Sequence, residues 1–403
     1  MKLGVEKLFS ESKLNKELTG RKISLVCHQA SINKSLLHTL DLLAKDPKCQ
    51  LISVMGPQHG LKTDKQDNMI ETDDELHSKY KIPVHSLYGR VREPTSKMME
   101  GWDLMLFDLQ DIGCRIYTYV TTLFYCLKAC EKYKKEIWIL DRPNPVGRRN
   151  EGLLLDESMI SFVGAASGLQ FQHGMTLGEL AKFFIKSRSL NLNLKVVEME
   201  AYSPNAAPNY GWPIEVEMPW VNPSPNIPRL SSAQCFPGTV LLEGTTLSEG
   251  RGTTRPLELW GAPGVDAEKV IKRMKQKSSE WMEGCYLRPC YFEPSFHKYS
   301  GKLCEGFQIH LDAGFFDPNK FRPFRLMMLT FKVLKELHPE LMKWRQPPYE
   351  YENERLAIDL LSGSSFCRSW VDDNNAEVGD LERALGQSEK QWEEVRKEFL
   401  IYK

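Results

Sequence analysis

Residues 53–64 read SVMGPQHGLKTD. An apolar run stops at Gly56-Pro57, and the next two side chains are an amide and an imidazole, Gln58 and His59, closed off by Gly60. Glycine and proline at this spacing make a sharp turn, where a chain presents polar groups instead of burying them. An imidazole there can move a proton near neutrality or bind a substrate hydroxyl. A neutral amide can only donate and accept hydrogen bonds. The stretch thus sets a candidate for acid–base chemistry beside a group that cannot perform it.

Three other apolar runs end in polar clusters. KISLVC (22–27) leads into His28, DLMLFDLQD (103–111) contains Asp108, Gln110 and Asp111, and EIWILD (136–141) leads through Asp141 to Arg142 and Asn144. In an open α/β sheet, ligands bind beyond the carboxyl ends of the strands, so four successive strands deliver polar groups to one rim. His59 is the strongest single candidate among them. Asp and Asn at strand-to-helix junctions also cap helices and close turns, a role expected of about half of these residues, Asp111 and Asn144 included. Metal binding by His28, His59, Asp108 and Asp111 lacks helical i, i+4 spacing, and no metal is expected.

A second constellation is EGTTLSEGRGTTRPLE (243–258), with three glycines, five Ser/Thr hydroxyls, two arginines and three glutamates. Its backbone N–H groups, Thr253, Thr254 and the forks of Arg251 and Arg255 suit a carboxylate or phosphate. A solvated loop with local salt bridges is the plainer alternative. Upstream, PSPNIP (223–228) is a stiff turn presenting Ser224 and Asn226. The chain has no G-x-G-x-x-G, Walker A, H-E-x-x-H or G-x-S-x-G motif, so nucleotide, zinc-protease and esterase chemistries lack their usual marks.

The elements that position these residues follow from periodicity. Strands are predicted at 22–27, 50–55, 103–111 and 136–141, with helices over 35–46 and 117–133, an alternation that argues for βαβ units in a mainly parallel sheet. Helices are also predicted at 176–187, 266–277 and the charged 388–402, and strands at 194–200 and 306–312. Residues 202–228, rich in Pro and Asn, read as loop, although Trp212 and Trp220 suggest that it packs. A domain boundary is expected near 151–161, giving a Rossmann-like unit at 1–155 and an α/β unit at 156–403 that completes the cleft.

Composition sets the outer limits. The 403 residues can bury more than one small core. Lys plus Arg and Asp plus Glu each total 53, so nothing overall recruits nucleic acid or an anionic membrane. Ten cysteines without a C-x-x-C argue against structural zinc and for buried, reduced thiols. The first 22 residues alternate charged with apolar groups and no apolar run is long enough to span a bilayer, so a cytoplasmic protein is expected.

The strings resemble the NamZ-type exo-β-N-acetylmuramidases, bacterial cell-wall hydrolases. The likeness runs through GPQHG (56–60), PVHSLYG (83–89), PTSKMMEG (94–101), DLQDIGCRIYTY (108–119), LDRPNPVG (140–147), EGLLLD (151–156), HGMTLGEL (173–180), PSPNIP (223–228), LLEGTTLSEGRGTTRPLELWGAP (241–263) and LCEGFQIH (303–310). It implies a Rossmann-like N-terminal domain, a C-terminal α/β domain and an active site between them. It also implies removal of β-linked N-acetylmuramic acid from the non-reducing ends of peptidoglycan fragments, in cell-wall turnover or muropeptide salvage, with no cofactor. The lactyl carboxylate of that sugar suits Arg251, Arg255 or Arg142.

One departure stands out. Family members commonly read G-P-E-H-G, with that Glu regarded as catalytic, whereas this chain carries Gln58. Glycoside hydrolysis usually needs a carboxylic acid to protonate the departing oxygen. Another carboxyl can take over, with Glu71 in KQDNMIET the first candidate, ahead of Asp108, Asp111, Asp141, Glu243 and Glu249. Alternatively, the sugar's 2-acetamido group acts as nucleophile while Gln58 orients it. The third alternative is a muramyl-sugar-binding or sensor protein without turnover. The expected site combines Gln58, His59, Glu71, Asp108, Asp111 and Asp141 as catalytic or orienting groups. His28, Gln110, Tyr117, Tyr119, Arg142, Asn144, His173, Ser224, Asn226, Glu243, Glu249, Arg251, Thr253, Thr254 and Arg255 would bind substrate, the two tyrosines by stacking on a sugar face.

Overall fold

The computed structural model describes residues 1–66, 70–164, 168–207, 210–213 and 218–403. Among the described residues twelve strands are formed: β1 Lys22–Cys27, β2 Gln50–Gly56, β3 Glu75–Leu76, β4 Pro83–Ser86, β5 Leu104–Asp108, β6 Glu136–Leu140, β7 Glu151–Leu154, β8 Gln170–Gln172, β9 Leu194–Val197, β10 Leu259–Ala262, β11 Tyr286–Phe292 and β12 Cys304–His310. Seven make one sheet in the order β3-β4-β2-β1-β5-β6-β9. Its strands run parallel except β3, which lies antiparallel to β4.

The apolar runs of these strands are unbroken because both faces of the sheet are covered. Alternate residues feed two cores. Ile23, Leu25, Leu104, Leu106 and Trp138 pack on one side with Leu3, Val5 and Leu8 of the N-terminal segment. Val26, Met55, Met105, Phe107 and Ile139 pack on the other with Leu123, Leu127, Phe183 and Phe184. These last four lie on the helices Tyr119–Lys132 and Leu177–Ser187. The helix expected at 35–46 starts at Thr39, because the His38 side chain accepts the Leu40 N–H and caps it there.

The chain lays β2 and β4 on one side of β1 and then returns to lay β5, β6 and β9 on the other. A topological switch point therefore lies beyond the carboxyl ends of β1, β2 and β5, the usual place for a ligand crevice. Strand β9 comes from beyond residue 155, so the sheet extends past the boundary suggested by the sequence. One apolar cluster is continuous from Val26 through Phe171 and Phe324 to Phe399.

The second half adds the antiparallel sheet β10-β12-β11 and the pair β7-β8. The helix Pro323–Leu337, which no expectation covered, is buried along twelve of its residues, Pro323 through Leu334. All ten cysteines are free thiols, and only Cys285 is not buried. Among the described residues, no helix is long and apolar enough to cross a membrane.

The rim of the sheet is tied by a buried ion pair. Arg142 donates from Nε to Asp108 Oδ1 at 2.5 Å and from Nη2 to Oδ2 at 3.0 Å. Thr39 also donates to Oδ2, and Arg142 Nη2 reaches the Ile32 carbonyl at 2.9 Å. Removing one partner leaves a buried charge unpaired, which costs about 3–5 kcal/mol, whereas replacing both with apolar groups costs far less. Urea unfolding of Arg142→Ala should therefore show a loss of about that size, and Asp108→Leu combined with Arg142→Met should recover part of it.

Candidate active site

A narrow pocket opens at the switch point, lined by Gln58 and His59 after β2, Ile116, Tyr117 and Thr118 after β5, Ser224 and Asn226, Glu243 and Arg251, and Tyr349 and Glu350. The turn after β2 needs Gly56, because a side chain there would meet the Leu61 backbone nitrogen at 2.7 Å. His59 sits in the left-handed region at φ 69°, uncommon for a residue with a side chain. Its Nδ1 lies 2.7 Å from the Lys65 carbonyl. A carbonyl only accepts, so Nδ1 carries the proton, and Nε2 is the basic nitrogen of the neutral ring.

The amide of Gln58 is held from both sides. Thr118 Oγ1 donates to its Oε1 at 2.6 Å, and its Nε2 donates to Glu350 Oε1 at 3.3 Å. The Tyr88 hydroxyl donates to Glu350 Oε2 at 2.7 Å. Glu350, only 3% exposed, arrives on a two-residue hairpin. Tyr349 and Glu352 exchange backbone hydrogen bonds of 2.8 and 2.9 Å, and the two residues between them, Glu350 and Tyr351, have φ 44° and 69°. That geometry normally selects Asn-Gly; two bulky residues hold it at a cost of about 1–3 kcal/mol each, a pattern that collects at functional sites.

Charges alternate along the opposite wall. Glu243 accepts from Arg251 Nη2 at 2.6 Å and from the Tyr349 hydroxyl at 2.7 Å. Arg251 Nε reaches Glu249 at 3.1 Å, and Glu249 in turn meets Lys298 at 3.0 Å and His297 at 3.4 Å. Burial alone would raise the Glu249 carboxyl, but Lys298, Arg251 and His297 outweigh it and hold it at about 2. Burial likewise opposes charge on Arg251, yet Glu243 and Glu249 push its guanidinium above its ordinary value. Burial raises the Tyr117 phenol well above its usual range, so it stays a neutral donor.

Of the residues singled out in the sequence, Gln58, His59, Tyr117, Ser224, Asn226, Glu243 and Arg251 line this pocket, and Glu249 stands directly behind it. The ends of the other three strands brace one another. His28 Nε2 accepts the Gln110 N–H at 3.0 Å, so its Nδ1–H donates to the Pro223 carbonyl at 3.2 Å. The Tyr119 hydroxyl donates to the same carbonyl at 2.5 Å. Burial, then the Arg142 charge, drives the His28 ring well below its ordinary value, which keeps it neutral. Gln110 Nε2 bonds the Asp111 and Pro143 carbonyls. Asp111 Oδ2 accepts from Gly113 N at 2.7 Å and lies 3.3 Å from His173 Nε2. Asn144 Oδ1 accepts from Val146 N at 3.0 Å. Asp111 and Asn144 thus close turns, and Asp108 and Arg142 are committed to each other.

Asp141 accepts from Gly178 N, the Thr176 hydroxyl and the Tyr402 hydroxyl at 2.7–2.9 Å, and so braces the start of the helix Leu177–Ser187, whose N-cap is Thr176. Thr253, Thr254 and Arg255 face a separate groove beside Arg288, with Arg255 paired to Glu258 at 3.1 Å. Glu71 lies in an open groove with Gly60 and Lys62, its side chain 51% exposed. It reaches the hairpin through the Tyr351 hydroxyl at 3.2 Å. Residues 67–69 of KQDNMIET lie outside the described residues. Sequence reasoning missed Glu350, Tyr349, Tyr88 and Thr118; the only signal for the first two was an acid set between tyrosines in PPYEYE (347–352).

Residues 23–231 match the family model of the exo-β-N-acetylmuramidase NamZ N-terminal domain, and residues 234–402 that of its C-terminal domain. The peptidoglycan β-N-acetylmuramidase NamZ of Bacillus subtilis is 34% identical over 400 residues, covering 99% of this chain and 91% of that protein. A crystal structure of a DUF1343 family protein from Bacteroides fragilis superposes with a TM-score of 0.86 at 27% identity, covering 100% of this chain and 99% of the other. A second DUF1343 protein of that organism gives 0.74 at 24% identity, with the same coverage, and shows the fold alone.

Burial raises the Asp141 carboxyl from 3.8 to about 6, against the hydrogen bonds it accepts. Between these values the folded chain keeps a proton that the unfolded chain has released. Its stabilising effect is therefore present below pH 4 and lost as pH rises through 6, by about 3 kcal/mol. Asp141→Asn, which resembles the protonated form, should gain stability relative to the wild type by up to that amount between pH 4 and 7. Urea unfolding at several pH values reads this, and a flat difference would mean that Asp141 titrates normally.

Proposed function

The chain belongs to the NamZ exo-β-N-acetylmuramidase family, and from that premise we propose that the pocket at the sheet's switch point is where it binds and cleaves a muramyl glycoside. It is a glycosidase that removes β-linked N-acetylmuramic acid from the non-reducing ends of peptidoglycan fragments, in cell-wall turnover or muropeptide salvage. The observation that carries the site assignment is the pairing of one guanidinium with neutral hydrogen-bonding groups in a single pocket: Arg251 facing Gln58, Tyr117, Ser224 and Asn226. N-acetylmuramic acid is a sugar that carries one carboxylate beside hydroxyl and amide groups, a set that a guanidinium among neutral hydrogen-bonding side chains suits.

In this reading Arg251 holds the lactyl carboxylate, pre-aimed by Glu243 and Glu249. Gln58 bonds the 2-acetamido group, and His59 bonds the sugar hydroxyls near the scissile bond. Ile116 and Phe236 cover an apolar ring face. Arg142 and Arg255 take no part: neither lines this pocket, and Arg255 faces another groove.

The test is release of chromophore from a β-N-acetylmuramic acid glycoside, with the matching N-acetylglucosaminide as control. The purified protein should turn over the first at a kcat/KM at least tenfold above the second. Saturable binding of N-acetylmuramic acid with no turnover would make it a binding protein instead. Arg251→Gln should lower kcat/KM for the muramide by about 10- to 100-fold, the worth of one charge-assisted hydrogen bond, and leave the glucosaminide within about threefold. Arg251→Lys should recover part of the loss, since it keeps the charge without the fork.

A further inference from the structure

We propose that Glu350 is the carboxyl that gives and takes the proton in this pocket, with Gln58 and Tyr88 as the residues that position it. The proposal rests on the glycosidase reading and concerns the same site. Two carboxyls line the pocket among its described residues, Glu243 and Glu350. The oxygens of Glu243 are occupied by the Arg251 guanidinium and the Tyr349 phenol, so its task is to hold the cation. Glu350 accepts instead from two neutral groups, the Tyr88 hydroxyl at 2.7 Å and the Gln58 amide at 3.3 Å. Neither of these donors is a cation, so a change of charge on Glu350 leaves neither of them an unpaired ion.

The surroundings suit a proton shuttle. The Tyr88 ring packs against Phe162 and Tyr351 at 5.5 and 5.8 Å. Burial, followed by the Glu350 charge, pushes its phenol far above the ordinary value, so Tyr88 remains a donor. Thr118 Oγ1 donates to Gln58 Oε1 at 2.6 Å and holds the amide with its Nε2 toward Glu350. Both donors therefore face the carboxylate that forms when Glu350 releases its proton, and both are in place beforehand. The hairpin Tyr349–Glu352, held against the backbone preference of its two central residues, fixes the carboxyl over the pocket.

Among the described residues no carboxyl besides Glu243 and Glu350 lines the pocket, and the sugar supplies its own nucleophile. In the first step the 2-acetamido carbonyl oxygen bonds to the anomeric carbon as the glycosidic C–O bond breaks. The bond pair leaves on the departing oxygen, which takes the proton of Glu350. In the second step a water oxygen bonds to the anomeric carbon, the ring closed by the acetamido group opens, and the water's proton returns to Glu350. One water is consumed, two hydroxyls appear, and the configuration at the anomeric carbon is retained.

The test compares wild type, Glu350→Gln and Tyr88→Phe on two β-muramides. One has N-acetylglucosamine as leaving group, whose oxygen needs a proton, and the other has dinitrophenol, which does not. For Glu350→Gln, kcat/KM on the disaccharide should fall by about 10²–10⁴-fold, while that on the dinitrophenyl glycoside falls less than tenfold, and the basic limb of the pH profile should vanish. Tyr88→Phe should show the same selectivity at about a tenfold scale. Binding of free N-acetylmuramic acid by both variants should stay near the wild-type level. Equal losses on the two glycosides, or full disaccharide activity in Glu350→Gln, would overturn the assignment of Glu350 alone. A wild type that releases sugar from neither glycoside would overturn the glycosidase reading with it.

Discussion

A parallel sheet leaves the carboxyl ends of its strands to be satisfied by whatever lies beyond them, and in this molecule the buried Asp108–Arg142 pair decides how that end is built. It joins the ends of β5 and β6 and draws in Thr39 and the Ile32 carbonyl. His28, Gln110, Asp111 and Asn144 add hydrogen bonds among the neighbouring strand ends and turns. These groups become framework, while the end of β2 sends Gln58 and His59 to the pocket beside the residues that follow β5.

The far wall is built on a different plan. Its carboxylates and cations alternate from Glu243 through Arg251 and Glu249 to Lys298, each partner fixing the next, so a flexible Gly-rich loop acquires the rigidity of a strand. The hairpin carrying Tyr349 and Glu350 joins the two plans. Tyr349 belongs to the charged wall, and Glu350 bonds to Gln58 on the sheet side. The one-residue alternation along the hairpin lets neighbouring side chains serve opposite sides of the same pocket.

Much of this was visible before any coordinates. β1 runs over the residues expected, Lys22–Cys27, and β2 and β6 differ by one residue at an end, because buried parallel strands are written as plain apolar runs between glycines and polar turns. The turn at 56–60 and the loop at 243–258 announced themselves by composition, and both reach the pocket. The role of the rim was harder to read. Whether Asp108 faces a ligand or Arg142 depends on side chains 34 positions apart, which no local pattern records. Glu71 drew attention because it follows the turn in sequence, yet the carboxyl beside Gln58 comes from position 350, brought there by a hairpin whose backbone no propensity favours.

The ten thiols carry a consequence of another kind. Nine are buried, and burial lifts Cys114, Cys285 and Cys367 to about 12, so hardly any thiolate exists at neutral pH to meet an alkylating reagent. Each of the nine buried cysteines then reacts only when its own neighbourhood opens. Cys27 and Cys126 sit against opposite faces of the seven-stranded sheet, while Cys235 and Cys367 lie among the helices of the other half. The native chain therefore carries its own set of clocks: the order in which these thiols become labelled is the order in which its parts let go.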